Sequence, residues 1–374
     1  MDQFKIEHMG KYIGVMSGTS VDGIDAVLVS IQNREIYVID SISKKFPDKL
    51  ASDIKELLSK GETSLQKLGE IDHRLGLAYA DCVNSLLSNA GVGNDEIVAI
   101  GCHGQTIFHA PGTKYPFTMQ IGDGNLLAAK TGITTITDFR RMDMAFGGEG
   151  APLTPAFHKE FFGTPSEKRV ILNLGGIANI TILEKGRVFG MDTGPANCLL
   201  DLWIQASLGK KFDEDGNWAK SGQINDDLLK EFLKEEYFNL EPPKSTGKEL
   251  YNLDWIRQKM NTFSDMPSRD VQATLTELTA RTVAGAIVKY APGTQAVYVC
   301  GGGAFNKFLL ERLAYYLPDI SISTTSKLGM PEQLVEAVAF AWLAYQRMKE
   351  NAGNLPEVTG AKEKVVLGNI YKCQ

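Results

Sequence analysis

Residues 12–29 of the chain read YIGVMSGTSVDGIDAVLV. An apolar run leads into the small and polar residues SGTSVDG, and a second apolar run follows, which predicts a strand, a turn and another strand. The same pattern returns half a chain later in residues 170–183, VILNLGGIANITIL, whose turn contains Gly175 and Gly176. A hairpin that is repeated in this way predicts a protein built from two similar halves.

The turns of both hairpins are suited to binding phosphate groups. Glycine lets backbone N–H groups come close to an anion, and neighbouring hydroxyl and amide side chains could add hydrogen bonds. The first turn is not a Walker loop, because it lacks the lysine and leads into a strand, and taken alone it would be an ordinary polar turn. Its repetition favours a clamp in which two facing hairpins hold the polyphosphate of ATP. The residues that the pattern predicts in this clamp are Gly18, Thr19, Ser20, Asn173, Gly175, Gly176 and Asn179.

A further glycine signal lies in residues 296–306, AVYVCGGGAFN, where an apolar strand runs into three glycines before a helix. Adjacent glycines carry a large entropic cost unless another group has to approach the backbone closely. Gly301, Gly302 and Gly303 are therefore predicted to contact the ribose and adenine of a nucleotide near the start of a helix. A simple strand-to-helix turn is the alternative interpretation.

Asp192 lies between a predicted strand at 187–191 and a helix whose first residue is predicted to be Pro195. An aspartate in this position is often only an N-cap. It can also act as a general base, and a carboxylate that holds a hydroxyl or water within hydrogen-bond reach contributes roughly 10²–10⁴-fold to a rate. The residues alone leave both interpretations open.

Two polar loops follow short apolar strands in the first half of the chain. They are residues 101–106, GCHGQT, and residues 138–143, DFRRMD. Arginine binds carboxylates or phosphates through two parallel hydrogen bonds, although such a charge cluster can also be a solvated surface turn. His103 could be a ligand, a base or a hydrogen-bonded loop residue.

The composition is that of a globular protein with two domains. The 374 residues exceed one ordinary core, and 43% are apolar and 22% charged. The net charge of −6 disfavours a nucleic-acid backbone as a partner. The five cysteines are widely spaced and form no CxxC pair, so neither a zinc ribbon nor a disulfide framework is indicated, and free thiols fit a reducing compartment. No secretory signal and no apolar stretch of roughly 20 residues is found, so we expect a cytoplasmic protein without a membrane partner.

Strands alternate with helical patterns in both halves, which predicts an α/β protein with two mixed sheets. Apolar residues at helical spacing predict a helix over 68–86 that is capped by Gly91, and another over 271–290. A last long helix is predicted to start at Pro331. The polar segment 210–262 is typical of a surface insertion that contains helices.

These stretches resemble the anhydro-N-acetylmuramic acid kinases, a family within the superfamily of acetate and sugar kinases, the heat-shock chaperone ATPase and actin. The motifs SGTSxDGxD, GCHGQT and DTGPxN are specific for this family within the superfamily, and the matching stretches run from Ile13 to Gly368. Two positions depart from the family pattern: Ala196 stands where glycine is frequent, and Glu149 where glutamine is frequent. The longest matching stretches are IGVMSGTSVDGIDAVL, AIGCHGQTIFHAP, DFRRMDMAFGGEGAPLTPAFH, MDTGPANCLLD and VCGGGAFNKFLL, and the segment PPKSTGKE matches as well.

The resemblance implies a fold of the actin and hexokinase type, a duplicated ribonuclease H-like unit with a cleft between two similar lobes. The expected lobes are residues 1–133 with 352–374, and residues 134–351. The implied reaction uses ATP with Mg²⁺ to hydrolyse the 1,6-anhydro bond of 1,6-anhydro-N-acetylmuramic acid and to phosphorylate O6. The product is N-acetylmuramic acid 6-phosphate, an intermediate of cell-wall recycling. The expected partner is therefore a small amino sugar, and a homodimer is possible.

The resemblance also implies the roles of individual residues. Asp192 falls on the family's catalytic base, which would deprotonate the water that attacks the anomeric carbon, and the departing 6-oxygen would accept the γ-phosphoryl group. ATP contacts are expected at Gly18, Thr19, Ser20, Val21, Asp22, Gly23, Ile24, Asp25, Asn173, Gly175, Gly176, Gly301, Gly302, Gly303 and Asn306. Sugar contacts are expected at His103, Gln105, Thr106, Asp138, Arg140, Arg141 and Glu149. One of the two arginines is expected to bind the lactyl carboxylate, and no metal ligand is assigned.

Two other functions stay open at this point. Another sugar or carboxylate kinase of the superfamily would share the fold and would use Asp192 as the base for a free hydroxyl. A non-catalytic, ATP-gated protein of the chaperone or actin type would lack sugar turnover. Turnover with an added sugar distinguishes the kinases from the non-catalytic class. Incorporation of labelled water at the anomeric carbon distinguishes the anhydro-sugar kinase from a kinase that uses a free hydroxyl.

Overall fold

The computed structural model describes residues 9–18, 20–185, 187–242, 244–247 and 249–373, and strands alternate with helices along them. The strands are β1 (Gly10–Met16), β2 (Ile24–Gln32), β3 (Glu35–Lys44), β4 (Ile97–Cys102), β5 (Gln105–Ala110), β6 (Phe117–Ile121), β7 (Thr135–Thr137), β8 (Arg169–Leu174), β9 (Ile177–Glu184), β10 (Arg187–Pro195), β11 (Ala296–Cys300), β12 (Ser321–Thr324) and β13 (Asn369–Tyr371). The α-helices are α1 (Asp48–Lys60), α2 (Leu65–Ala90), α3 (Gly124–Thr131), α4 (Arg141–Ala145), α5 (Thr154–Phe162), α6 (Asn197–Leu208), α7 (Asn217–Lys220), α8 (Asp226–Leu233), α9 (Leu253–Lys259), α10 (Ser268–Tyr290), α11 (Lys307–Tyr316), α12 (Val335–Met348) and α13 (Pro356–Thr359). Short 3₁₀ helices lie at Asn94–Glu96, Glu214–Gly216, Glu236–Asn239, Gly302–Phe305 and Thr325–Leu328.

Two sheets repeat one topology. The first has the order β13-β7-β4-β1-β2-β3, and the second has the order β10-β9-β8-β11-β12. In each sheet three consecutive strands pair antiparallel, and the first of them also pairs parallel with a later strand, β4 or β11. A further parallel strand, β7 or β12, follows on that side. The predicted fold class, α/β with two similar halves that each contain a mixed sheet flanked by helices, is confirmed.

The chain divides into two compact units, Met1–Phe161 with Leu334–Gln374, and Phe162–Gln333. These bounds differ from the expected lobes, because residues 134–161 and 334–351 belong to the first unit. β7 pairs with β4 there, and α12 packs directly on the first sheet. A Cβ on Gly14 would lie 1.8 Å from the Ala337 carbonyl oxygen, so only glycine permits this approach.

Hydrophobic side chains fill the core on the other face of the first sheet. Ile13 and Val15, which flank Gly14 along β1, point to this opposite face and pack with α1 and α2. In the second unit, β8 and β9 pack against α10 and α11. Each sheet is thereby fixed by buried apolar contacts, which hold the turns at its ends.

The helix predictions are confirmed in two cases and wrong in two details. α2 ends at Ala90 with Gly91 in the left-handed conformation, and α10 covers the predicted range. Pro195 does not start a helix but ends β10, an edge strand, where the missing N–H of proline removes no ladder bond. The last long helix begins at Val335 rather than at Pro331, and the carbonyl of Glu332 accepts a hydrogen bond from Gly301 N–H at 2.9 Å.

The segment 210–262 contains helices, as predicted, but it is more than a surface insertion. Phe232, Tyr251 and Trp255 are buried, and they form a hydrophobic core with Leu199 of α6 and Leu275 of α10. The apolar side chains are too widely spaced among polar ones for the sequence to reveal this core. Within the described ranges, no helix combines the length and the apolar character that crossing a lipid bilayer requires.

Candidate active site

The first predicted phosphate turn follows β1 and is supported from below by a buried polar network. The Ser17 hydroxyl shares a hydrogen bond with Tyr79 Oη at 2.8 Å, and it donates to Gln105 Oε1 at 3.1 Å. Gln105 Nε2 donates to the Gly18 carbonyl at 3.3 Å. Gln105, which we expected to contact the sugar, is fully buried and instead supports the turn. Thr19 lies outside the described residues.

The same turn contains a strained residue. Val21 is buried with φ at +55°, a conformation that β-branched residues rarely adopt, and its N–H donates to the Gly18 carbonyl at 3.1 Å. Such strain persists only where the surroundings enforce it, and it is concentrated at functional sites. Ser20 and Asp22 are exposed and Gly23 is half-buried, whereas Ile24 is buried. Burial raises the pKa of Asp25, and a hydrogen bond with Ser43 acts in the opposite direction.

The second turn and the glycine run lie together at one end of the second sheet. Asn173 and Cys300 are register partners in β8 and β11. A Cβ on Gly301, whose φ is +79°, would lie 2.4 Å from Asn173 Oδ1, and a Cβ on Gly303 would lie 2.6 Å from Leu174 Cβ. Packing within the protein therefore requires these two glycines, so their presence alone is no sign of a ligand.

Gly302 differs from its neighbours. It is exposed, and a Cβ there would find no described atom nearer than Asn197 Nδ2 at 3.8 Å. The open side of this loop is therefore at Gly302. Asn306 is not open in the same way, because its Oδ1 caps α11 by accepting from Leu309 N–H at 3.0 Å.

The turn at Gly175 and Gly176 is tied to the start of α6. The Asn197 N–H donates to the Gly175 carbonyl at 3.1 Å, and the Ala196 and Cys198 N–H groups donate to the Gly176 carbonyl at 3.0 and 3.1 Å. The DTGPAN motif and the second hairpin turn therefore form one rigid structure.

Asp192 lies in β10 and is not an N-cap. α6 begins five residues later, with Ala196 as its N-cap residue. Asp192 pairs with Asn179 across β10 and β9, and Asn179 pairs with Asn173 across β9 and β8. Asp192 is thus in the same row of the sheet as Asn173, where the second predicted phosphate turn begins. Its place within β10 excludes the N-cap interpretation, and the interpretation as a base stays a prediction.

The environment of Asp192 changes its proton affinity. Its Oδ2 accepts from Thr246 N–H at 3.1 Å, and Tyr237 Oη donates to its backbone carbonyl at 2.9 Å. Burial raises the pKa of Asp192 to about 6; the Thr246 N–H opposes this rise and the Glu249 charge adds to it. No described residue donates a hydrogen bond to Oδ1. Among the described residues, no donor therefore competes with a proton for this oxygen.

The sequence pattern predicts no role for the residues that shape this environment. Tyr237, Thr246 and Glu249 belong to the polar segment after α8, and Lys244 Nζ donates to the Tyr237 carbonyl at 3.2 Å. The segment PPKSTGKE was the available signal, because it matches the family without a predicted role.

Two further expected sugar contacts, His103 and Arg140, bind each other. Arg140 donates from Nε and Nη2 to His103 Nε2 at 3.1 and 2.9 Å, and from Nη1 to the Gly150 carbonyl at 2.8 Å. Burial lowers the pKa of Arg140 to about 10. Burial also holds the pKa of His103 well below its usual value, and the Arg140 charge lowers it further. Since arginine only donates, His103 Nε2 is an acceptor and the ring is neutral.

Among the described residues, the other expected sugar contacts form no hydrogen bond with His103 or Arg140. Arg141 is exposed and forms a two-point ion pair with Asp138, from Nε at 2.8 Å and from Nη2 at 2.7 Å. Glu149 is exposed. Thr106 Oγ1 accepts from Gln120 at 3.2 Å.

Two surface pockets in the second unit contain none of the predicted site residues. They have volumes of about 430 and 500 Å³ and are lined by α8 with Arg281, and by α6 with α9. Both are open depressions, and the chemistry-bearing residues described above lie elsewhere.

Comparisons with known proteins agree with the motif pattern along the whole chain. The family model described as anhydro-N-acetylmuramic acid kinase matches residues 10–373. The anhydro-N-acetylmuramic acid kinase of Pasteurella multocida is 50% identical over 362 residues, which cover 96% of this chain and 96% of that protein. The kinase of the same name from Aliivibrio fischeri is 49% identical over 365 residues, which cover 97% and 99%. Among solved structures, component A of the (R)-2-hydroxyglutaryl-CoA dehydratase of Acidaminococcus fermentans aligns with a TM-score of 0.49 at 12% identity, over 91% of this chain and 99% of that one.

Proposed function

Because the chain belongs to the anhydro-N-acetylmuramic acid kinase family and is a kinase, we propose that it acts on 1,6-anhydro-N-acetylmuramic acid and ATP. Water attacks the anomeric carbon, the bond from that carbon to O6 breaks, and O6 takes the γ-phosphoryl group. The products are N-acetylmuramic acid 6-phosphate and ADP. The relatives that carry this kinase name match nearly the full chain, which supports the substrate assignment.

The observation that supports this reaction best is the placement of Asp192. A general base works best when its pKa lies near the operating pH, and the Asp192 pKa of about 6 leaves the group mostly ionised at pH 7 yet able to take a proton. The unoccupied Oδ1 would receive the proton of the attacking water, and Thr246 N–H would hold Oδ2 in place. The base therefore activates water, while the leaving oxygen of the sugar serves as the nucleophile for phosphorus.

Phosphoryl transfer itself needs positioning and charge neutralisation more than covalent help from the protein. We assign the phosphate contacts to the turn around Gly18 and to the turn at Gly175 and Gly176. Mg²⁺ would neutralise charge on the phosphates, and this cation keeps several waters and uses one or two carboxylates. Asp22 of the first turn and Asp25 at the start of β2 are the carboxylates that fit this need, since burial of Asp25 favours a nearby cation. The described residues contain no group of three or more metal-binding side chains, so phosphates and water would supply the other ligands.

The nucleoside of ATP belongs at Gly302, where the glycine run has its open side. The exposed backbone there permits close approach of a ribose or adenine face, whereas Gly301 and Gly303 are occupied by packing within the protein. This assignment narrows the expected nucleotide loop to one residue.

We also propose that the protein works in the cytoplasm as an enzyme of cell-wall recycling. No disulfide bond joins the described cysteines, which fits a reducing compartment. A homodimer is part of the proposal as well, and sedimentation of the purified chain tests it.

The reaction is tested with anhydro sugar that carries ¹⁸O in its 1,6-bridge. Cleavage at the anomeric carbon leaves the label between C6 and phosphorus in the product, and mass spectrometry of the phosphate ester detects it. N-acetylmuramic acid, which is already open, is the matched control. Equal phosphorylation of both sugars would indicate an ordinary sugar kinase, and turnover of neither sugar would contradict the proposal.

A further inference from the structure

The carboxylate of Glu336 has no role predicted from the sequence pattern. It lies in the first turn of α12 and is half-buried, and no described residue donates a hydrogen bond to either carboxylate oxygen. A partly desolvated carboxylate without hydrogen bonds is unfavourable, so it calls for an explanation. The helix dipole favours a negative charge at this end, but an exposed side chain would satisfy the dipole equally well.

The side of α12 that carries Glu336 faces the GCHGQT loop. Ala337, the next residue, lies against Gly14 of β1. One turn further on, the Phe340 ring lies 4.7 Å from the His103 ring. Because residues four apart share a helix face, Glu336 lies on the same side of the helix as the contact with His103.

Arg140 is held firmly in this neighbourhood. His103 Nε2 accepts two of its hydrogen bonds and the Gly150 carbonyl accepts a third. Gly150 is fixed in turn, because its N–H donates to Asp143 Oδ2 at 2.8 Å. The buried Asp143 is itself bound through Oδ1 to Asn354 and Thr359, both at 2.7 Å.

Arg140 and Glu336 attract each other without touching. Burial raises the pKa of Glu336, the Arg140 charge lowers it, and Asp25 raises it further. The Glu336 charge, in the same way, raises the pKa of Arg140. No direct hydrogen bond or ion pair joins the two side chains in the described structure, so Glu336 keeps its oxygens available for another donor.

We propose that Glu336 accepts a hydrogen bond from the sugar substrate, and that Arg140, which His103 and Gly150 hold in place nearby, is the positioning residue for it. The proposal rests on the proposed function. In 1,6-anhydro-N-acetylmuramic acid, a single oxygen, O6, bridges C1 and C6, and O3 carries the lactyl ether, so the uncharged donors are the 4-hydroxyl and the acetamido N–H. A carboxylate repels the ATP phosphates and the lactyl carboxylate, and these two neutral donors are therefore the groups that it would bind.

The test compares Glu336→Gln with Glu62→Gln, a matched substitution at an exposed glutamate of the same unit. Calorimetry on the full chain measures the anhydro sugar and ATP separately. A hydrogen bond to a charged group predicts that the Kd of Glu336→Gln for the sugar rises about 10- to 100-fold, with the Kd for ATP unchanged. Glu62→Gln should match the wild type for both ligands. An unchanged sugar Kd, or an equal loss for ATP, would overturn the role of Glu336.

Arg140→Lys tests the positioning role. Lysine keeps the charge but cannot hold His103 and Gly150 with one planar group, so the sugar Kd should rise here as well. Combined with Glu336→Gln it should cause little additional loss, since both substitutions act on one interaction, whereas full additivity would show that Arg140 acts elsewhere. The Kd of a 4-deoxy sugar identifies the donor. If the wild type and Glu336→Gln bind this sugar with the same Kd, the donor is the 4-hydroxyl. If the wild type still binds it more tightly than Glu336→Gln, the donor is the acetamido N–H. A wild type that binds no anhydro sugar would contradict the proposed function, whereas loss of the Glu336→Gln effect alone contradicts only this inference.

Discussion

The substitution Asp192→Asn should remove catalysis and at the same time make the protein more stable at neutral pH. Asparagine is nearly isosteric, and its Oδ1 can still accept the hydrogen bond that Thr246 N–H donates at 3.1 Å. An amide cannot take a proton from water near pH 7, so kcat should fall by about 10²–10⁴-fold, with little change in the binding of either substrate.

The gain in stability follows from the pKa of Asp192, which burial raises from 3.8 to about 6. The folded state binds this proton more tightly than the unfolded state, so stability is lost as the pH rises from about 4 to about 6. Each pH unit corresponds to about 1.4 kcal/mol, and partial access of solvent reduces the total to about 1–3 kcal/mol at pH 7. Asparagine carries no charge and avoids this loss, and below about pH 4 the two proteins should be equally stable.

Thermal unfolding of both proteins between pH 4 and pH 8 measures this difference, and the exposed Asp319→Asn provides the matched control in the same unit. The wild-type kcat/KM profile should also lose activity on the acid side with an apparent pKa near 6, where the base becomes protonated. A variant with wild-type kcat would remove Asp192 from the chemistry. A variant that is less stable than the wild type at pH 7 would refute the burial of a charged carboxylate.

Three further substitutions test the site and the fold. Gly302→Val should raise the Kd for ATP about tenfold or more and leave the Kd for the sugar unchanged, because the new side chain has room in the protein but intrudes where the nucleotide is proposed to bind. Calorimetry measures both Kd values, and an equal rise for ATP and sugar would contradict the prediction. Arg141→Lys should weaken binding of the lactyl-bearing sugar but not of its lactyl-free analogue, because Arg141 has the exposed guanidinium and Arg140 is committed to His103; equal effects on both sugars would exclude a carboxylate contact. Gly14→Ala should lower the free energy of unfolding by about 3 kcal/mol or more, or prevent folding, because its Cβ would collide with the backbone of α12. The control Gly69→Ala in α2 has open space around its Cβ and should raise the free energy of unfolding by about 0.5–1 kcal/mol, as measured by denaturant unfolding.

The local sequence determined the hairpins, the long helices and the duplication. A strand pattern depends on alternation and a turn on glycine and short polar residues, and these signals lie within a few positions of each other. The hairpins at 12–29 and 170–183 could therefore be predicted, as could α2 with its cap at Gly91. Asp192 was found as a candidate for the same reason, because its motif is contiguous.

Only the tertiary structure decided what these residues do. Gln105, which was expected to contact the sugar, is buried and supports the turn at Gly18, and Arg140 binds His103, which lies 37 residues away along the chain. Asp192 acquires a pKa of about 6 because segments far along the chain bury it, and Glu336 was not recognised because its partners lie almost two hundred residues away. Burial, electrostatic fields and unsatisfied hydrogen bonds depend on distances between remote segments, and a one-dimensional pattern contains no such distances.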